Sequence, residues 1–414
     1  MAAAVVEIPL SQLLEEARAY EKRVPLEGTL ETTYRCNLNC VHCYVNQPAA
    51  SAGERARELP LERLKQLIDE IAEEGCLDLL LTGGEVLLRP DFAELYLHAV
   101  RAGLRVTVFT NGTLVTERIL DLFETYHPAC VEITLYGMTE ETYERVTRVP
   151  GSYRRCLEGV RRLHARGIPL KLKTMVLTWN VHEVEAMRRF AEELGVDFRH
   201  DSLLNPRVDC GANRNGELQV PAELAVALDL ADPAARASHE ERHRTLAAEP
   251  PPEADEVYTC GAGQFAFTVD PYGRLQLCQL SRRASFDLRQ ETFTRGWREF
   301  LPLARSRKWK TDAVCRRCSL APVCGSCPGA AELEHGDPEA LVARFCEITH
   351  LRAHTLLGEA SGHRRDATCC RGVGHLASLP DAERHLGGCG SCGHAPAEAP
   401  LLQIGRRPSR AATA

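Results

Sequence analysis

Cys36, Cys40 and Cys43 follow directly on the short apolar and β-branched run Leu30-Glu31-Thr32-Thr33-Tyr34. No other feature narrows the possible folds as much, because it puts three thiols in one short loop at the end of a predicted strand. Thiolates are the usual protein ligands of a four-iron, four-sulfide cube, so three of them leave one iron open to a cofactor. A zinc knuckle would need a fourth Cys or His close by, and His42, between two of the cysteines, is badly placed for that tetrahedron. The triplet therefore reads as an iron–sulfur cradle with one open coordination position.

Beyond this loop the chain alternates strand and helix patterns. Leu61, Leu64, Leu67, Ile68 and Ile71 recur at helical spacing, and 77–81 is a continuous apolar run fit for a buried parallel strand. Strands are predicted near 29–34, 77–82, 104–109, 130–136, 169–177 and 196–203, and helices near 60–74, 90–102, 116–125, 152–166 and 181–194. Alternation of this kind implies parallel β/α units with right-handed crossovers. The second strand ends in Thr82-Gly83-Gly84-Glu85, where only glycine lets main chain approach a neighbour without a Cβ clash.

With the cysteine triplet, the aromatic Tyr44 after it and the Gly-Gly-Glu turn in this order, the chain resembles the radical S-adenosylmethionine (SAM) superfamily. The resemblance implies an α/β fold, a partial (β/α)6 barrel of TIM type. It implies a [4Fe–4S] cluster on Cys36, Cys40 and Cys43 whose open iron binds SAM, with catalysis resting on those three thiolates. Thr82, Gly83, Gly84 and Glu85 would meet the methionine part of SAM, with Glu85 receiving its ammonium. Ligands belong at the C-terminal strand ends, as in complete barrels, which adds Asn111, Tyr136 and Arg148 to the expected cofactor contacts. Arg145 stands beside Arg148, and Lys171 and Lys173 alternate with apolar residues on the fifth strand. Cys76, Cys130 and Cys156 read as small buried hydrophobes.

Eighteen cysteines without an export signal point to metal rather than disulfides, because cytosolic thiols stay reduced. Beyond a charged connector over 206–255 they return as Cys260, Cys278, Cys315-x-x-Cys318, Cys324-x-x-Cys327 and Cys346. This order resembles the SPASM extension of radical SAM enzymes and implies two auxiliary [4Fe–4S] clusters. By that resemblance Cys315, Cys318, Cys324 and Cys346 hold the outer one, and Cys260, Cys278 and Cys327 the inner. The inner set is one thiolate short. Cys210 or a non-cysteine group completes it, or an iron stays open. Taken alone, the cysteines from 315 to 327 also fit zinc ribbons.

The expected division is an N-terminal segment 1–27, barrel 28–205, connector 206–255, SPASM domain 256–354 and a largely irregular tail 355–414. In the tail Cys369, Cys370, His385, Cys389 and Cys392 resemble the zinc site of zinc-binding anti-sigma factors. With 50 basic against 57 acidic residues, general nucleic-acid binding is not expected. No apolar run long enough to span a bilayer occurs, so a cytoplasmic protein without membrane contact is expected.

The family implies reductive cleavage of SAM to a 5′-deoxyadenosyl radical that takes hydrogen from a substrate, with electrons from a donor such as flavodoxin or ferredoxin. Among SPASM enzymes, sulfatase maturases carry an aspartate base after the cysteine matching Cys278. Gln279 stands there, and glutamine cannot accept that proton. Maturation of a ribosomally made peptide, by a thioether or carbon–carbon crosslink or a related change, is the leading expectation. The stretch before the barrel is short for a leader-recognition domain, so leader binding calls for a separate protein or the tail. Tetrapyrrole side-chain modification, with Lys171, Lys173 and Arg199 for propionates, and small-molecule dehydrogenation are the enzymatic alternatives. A metal-sensing regulator acting through its tail is the non-enzymatic one.

Overall fold

The computed structural model describes residues 21–209, 215–248, 255–325 and 327–358. Cys210 and the five tail residues proposed for zinc lie outside them. Six parallel strands stand in sequence order: β1 (Glu27–Thr33), β2 (Asp78–Gly83), β3 (Arg105–Thr110), β4 (Cys130–Thr134), β5 (Leu170–Met175) and β6 (Asp197–Asp201). Helices α1 (Ala52–Arg57) and α2 (Leu61–Glu73) cross from β1 to β2, α3 (Phe92–Arg101) to β3, and α4 (Glu117–Thr125) to β4. Helices α5 (Glu140–Thr147) and α6 (Ser152–Ala165) lead to β5, and α7 (Val184–Glu193) to β6. Every predicted strand and helix of this half is present; α1 and α5 are additional, short and rich in charge.

Alternation along each strand sorts the side chains onto two faces. Leu30, Leu79, Leu81, Val106, Val108, Val131, Ile133 and Leu172 are almost wholly buried and pack with Leu64, Leu67, Ile68 and Ile71 of α2 and their counterparts on the other helices. The opposite face, the lumen, receives Glu31, Phe109, Glu132, Lys173 and Arg199. Cys76 and Cys156 are buried as expected, whereas Cys130 at the lumen edge of β4 is half-buried.

The expected boundary at 256 is not a break in the sheet. Strand β7 (Ala266–Val269) pairs in parallel with the outer edge of β1, from Glu27 opposite Ala266 to Leu30 opposite Val269. β8 (Arg274–Gln276) and β9 (Phe286–Asp287) continue antiparallel, giving nine strands in the order β9-β8-β7-β1-β2-β3-β4-β5-β6. The segment 206–255 is not merely a linker either. Its described part forms α8 (Ala222–Asp229) and α9 (Pro233–Ala248), which pack against α11 (Ala343–Leu357). Alanine, glutamate and arginine, read as marks of a connector, are also strong helix formers. Among the described residues between 313 and 327 the chain has only single turns, before α10 (Pro328–His335). No helix among the described residues is long and apolar enough to cross a membrane.

Candidate functional site

The cysteine loop leaves β1 at the C-terminal end of the sheet and is tied to the end of α5. Asn39 N–H donates to the Thr147 carbonyl at 2.9 Å and Val41 N–H to Val146 at 3.0 Å, carbonyls that a helix C-terminus leaves without partners. This brings Cys36, Cys40 and Cys43 within electrostatic reach of one another. Burial, reinforced by the neighbouring thiols, raises Cys40 well above the usual thiol range; burial together with Glu85 pushes Cys36 up to about 12. Burial raises Cys43 too, against the Val45 and Asn46 N–H groups that favour its thiolate. Three convergent, half-buried thiols that also collect hydrogen-bond donors suit a cationic cluster rather than an empty pocket.

Gly83 and Gly84 are required by the protein's own main chain. A Cβ on Gly83, at φ +135°, would lie 2.1 Å from the Thr33 carbonyl oxygen, and one on Gly84 2.4 Å from that of Arg35. Gly84 N–H donates to Thr33 O at 2.6 Å and Glu85 N–H to Arg35 O at 3.0 Å, so this turn fixes the strand end from which the cysteine loop springs. Thr82 pairs with Glu31 across the ladder just before it.

Glu85 is fully buried. Its carboxylate accepts from Leu87 N–H at 3.0 Å, Thr110 hydroxyl at 2.7 Å and Asn111 N–H at 2.7 Å, and burial holds it above the usual carboxylate range against those donors. Three of its four acceptor positions are thereby taken by the protein. Asn111 in turn directs its amide N–H2 to Cys36 Sγ at 3.8 Å and to Asn37 Oδ1 at 2.9 Å. Glu85 thus holds the turn that holds the first thiol, a role the motif alone does not reveal.

Tyr136 lies with its hydroxyl against Cys40, where it favours the thiolate, and its ring meets His42 edge-on at 5.2 Å. Burial lowers His42 to about 4, leaving it neutral. Arg148 caps α5 in the left-handed conformation at φ 59°, exposed and next to Thr147, which anchors the loop; Arg145 stacks instead on Trp179 at 4.2 Å. Sequence reasoning missed Arg207. It reaches back to the Cys43 carbonyl at 3.4 Å and the Asn46 carbonyl at 3.2 Å while held by Asp209. A long-range clasp of this kind has no local signature.

The other cysteines also gather as two sets. Cys315, Cys318, Cys324 and Cys346 line one pocket with Leu320 and Phe345, and Thr349 hydroxyl donates to Cys324 Sγ at 3.3 Å. Cys278 and Cys327 both feel the charge of Cys260, and burial first, then Cys327, pushes Cys278 up to about 11. Cys327 stands at the N-cap position of α10, where burial raises its thiol against the Ala330 and Gly329 N–H groups that favour the thiolate. Among the described residues no three Cys, His, Asp or Glu close on a single-ion position. In a four-iron cube each thiolate binds a different iron, so the sulfurs stand wider apart than around one tetrahedral zinc.

A buried ion pair joins the two halves. Arg282, from the segment after Cys278, enters the lumen and donates to both Glu31 carboxylate oxygens at 3.2 and 3.1 Å, and to Tyr34. Tyr44, raised mainly by burial, feels Cys43 and Cys278 alike. It therefore lies between the barrel thiols and the inner set.

The Radical SAM superfamily model matches residues 30–191. The AdoMet-dependent heme synthase of Methanosarcina barkeri is 36% identical over 176 residues, 42% of this chain and only 50% of that protein. The PqqA peptide cyclase of Ruegeria pomeroyi is 31% identical over 330 residues, 76% of this chain and 86% of that protein. Streptococcus suis SuiB, solved bound to S-adenosylmethionine, aligns with a TM-score of 0.57 at 15% identity, covering 84% of this chain and 82% of SuiB.

Proposed function

This chain belongs to the radical SAM superfamily, and from that premise we propose that it matures a ribosomally made peptide by introducing a crosslink. One observation carries the reading: the likeness to a peptide cyclase runs through 76% of the chain and so into the cysteine-rich half, while the likeness to a heme synthase stops at 42%. The tetrapyrrole reading also asks for lumen cations to meet propionates. Here Lys171 pairs with Asp197 at 3.0 Å, and Lys173 and Arg199 both pair with Glu132, at 3.3 and 2.7 Å.

Cys36, Cys40 and Cys43 would hold the cluster that binds SAM, with Thr82, Gly83, Gly84, Glu85, Asn111, Tyr136 and Arg148 around the cofactor. Cys260, Cys278 and Cys327 would hold an inner auxiliary cluster, and Cys315, Cys318, Cys324 and Cys346 an outer one. When bound, these groups supply one-electron reduction of SAM and the radical that takes hydrogen from carbon. The protein's own part is to fix the thiols, through Asn111, Tyr136 and Arg207, and to keep water from the lumen. A flavodoxin or ferredoxin as electron donor, a separate leader-binding protein and a cytoplasmic setting complete the proposal.

The test is anaerobic reconstitution with iron, sulfide and SAM, offering short peptides encoded beside this gene. The expected result is 5′-deoxyadenosine together with a peptide lighter by two hydrogen atoms, both lost in the Cys36→Ala/Cys40→Ala/Cys43→Ala variant. Turnover of a porphyrin but of no peptide would replace this reading with the tetrapyrrole one.

A further inference from the structure

Four neighbouring strands place Phe109 of β3, Glu132 of β4, Lys173 of β5 and Arg199 of β6 on the lumen face, with Phe109 opposite Glu132 and Lys173 opposite Arg199 in the ladders. Lys173 Nζ stands 3.3 Å from Glu132 Oε2 and over the Phe109 ring, 2.9 Å from its centroid. Arg199 donates to the same Glu132 oxygen at 2.7 Å. One carboxylate thus serves two cations, and the lysine and carboxylate side chains are only 16% and 14% exposed. A half-buried group of net charge +1 relaxes by releasing a proton. A guanidinium cannot give one up in a protein, so the ammonium does.

The other titratable groups around it bear on Lys173 unequally. Lys171 and Asp197, one layer down, neutralise each other at 3.0 Å. Cys130 on β4 is a thiol held protonated, pushed up to about 11 mainly by burial. Asp201 at the end of β6 is raised by burial, while Leu203 N–H, from which it accepts at 2.8 Å, and the charge of Arg199 favour its ionised form, so it draws on Arg199. Lys173 is pushed down to about 7, by burial first and by Arg199, against the pull of Glu132.

The lysine also lies directly beneath the candidate cofactor site. Asn111, two residues beyond Phe109, touches Cys36. Leu135 N–H bonds the Lys173 carbonyl at 2.8 Å, and the next residue, Tyr136, lies against Cys40. Two adjacent strands therefore run from the cysteine loop straight to this amine.

We propose that Lys173 is the proton acceptor for the peptide substrate: its neutral amine takes the proton from the thiol, hydroxyl or amide group that becomes bonded to carbon in the crosslink. The step is a proton transfer only. The X–H bond breaks, its electron pair stays on X, and Lys173 becomes an ammonium beside Glu132. This rests on the peptide-crosslink reading above.

Trace labelling of the purified chain with an acylating reagent from pH 5 to 10, read lysine by lysine in the mass spectrometer, reports the neutral fraction of Lys173 without any cluster. A midpoint near 7 is expected; one above 9 overturns the assignment. In the reconstituted enzyme, peptide crosslinking should rise with pH through about 7 and fall about 100-fold in Lys173→Met. Lys173→Arg keeps the cation and its Glu132 partner, so a structural role predicts rescue and a proton-accepting role predicts none. Crosslinking by either variant at the wild-type rate overturns the assignment alone. A wild-type enzyme that forms 5′-deoxyadenosine but leaves every peptide unchanged overturns the peptide reading and this assignment with it.

Discussion

Two regions of this molecule hold their shape by different means. In the barrel, strands β1–β5 bury a continuous apolar face against amphipathic helices, and residues such as Leu30, Leu81, Val108 and Ile133 lose all contact with solvent. Each such side chain contributes roughly 1.5–3 kcal/mol. Around 313–346 the buried apolar cluster is two alanines, Ala330 and Ala331, with Val342 and one aromatic, Phe345, and Cys324 and Cys327 at its edge. A core of that size does not order irregular chain on its own. If the proposed clusters form there, the conformation depends on what the thiols bind.

The comparison breaks most visibly at the cysteines. In protein loaded with iron and sulfide, Cys315→Ser/Cys318→Ser should drop amide-exchange protection over 313–346 to that of an unfolded peptide while β1–β5 keep theirs; equal loss in both halves would mean that they fold as one unit. The next effect falls on the joint between the halves. Arg282→Ala strands the Glu31 carboxylate in a buried site and should cost about 3–5 kcal/mol in a denaturant titration, with Arg282→Ala/Glu31→Gln recovering much of it. Gly84→Ala forces a methyl onto the Arg35 carbonyl and should cost about 3 kcal/mol, with a loss of iron incorporation at the first cluster that Ala substitution at exposed Gly53, where a Cβ meets nothing, does not share.

The smallest effect is electrostatic. Burial raises Asp270 to about 6, so the folded chain binds its proton more readily than the unfolded one. The ionised form penalises the fold, and stability from this group declines as pH rises from about 4 to about 6. Asp270→Asn keeps an acceptor for the Tyr272 and Arg274 N–H groups and should remove about 2 kcal/mol of that dependence, measured as the difference in unfolding free energy between the two pH values.

The same contrast explains what could be read from the chain in advance. Barrel elements were legible because burial leaves an apolar period in every strand and helix, and the gathering of the cysteines because they recur at short, fixed spacings. What escaped was long in sequence and polar in character. Arg207 grips the loop of Cys43, and Arg282 grips Glu31 from the far half of the chain. The meaning of Gly83-Gly84 shifted as well, since the close backbone is that of Thr33 to Arg35. Glu85 has three protein donors where the motif suggested a ligand contact. The connector proved helical because composition that looks solvated also suits a helix packed on one side.

The parallel pairing of β7 with β1 has a consequence for any attempt to study the barrel alone. A chain cut before residue 256 would leave the N–H and C=O groups along Glu27–Leu30 facing water as an open template. Two such fragments would meet there strand to strand, so the truncated protein is expected to self-associate rather than report on an isolated catalytic half.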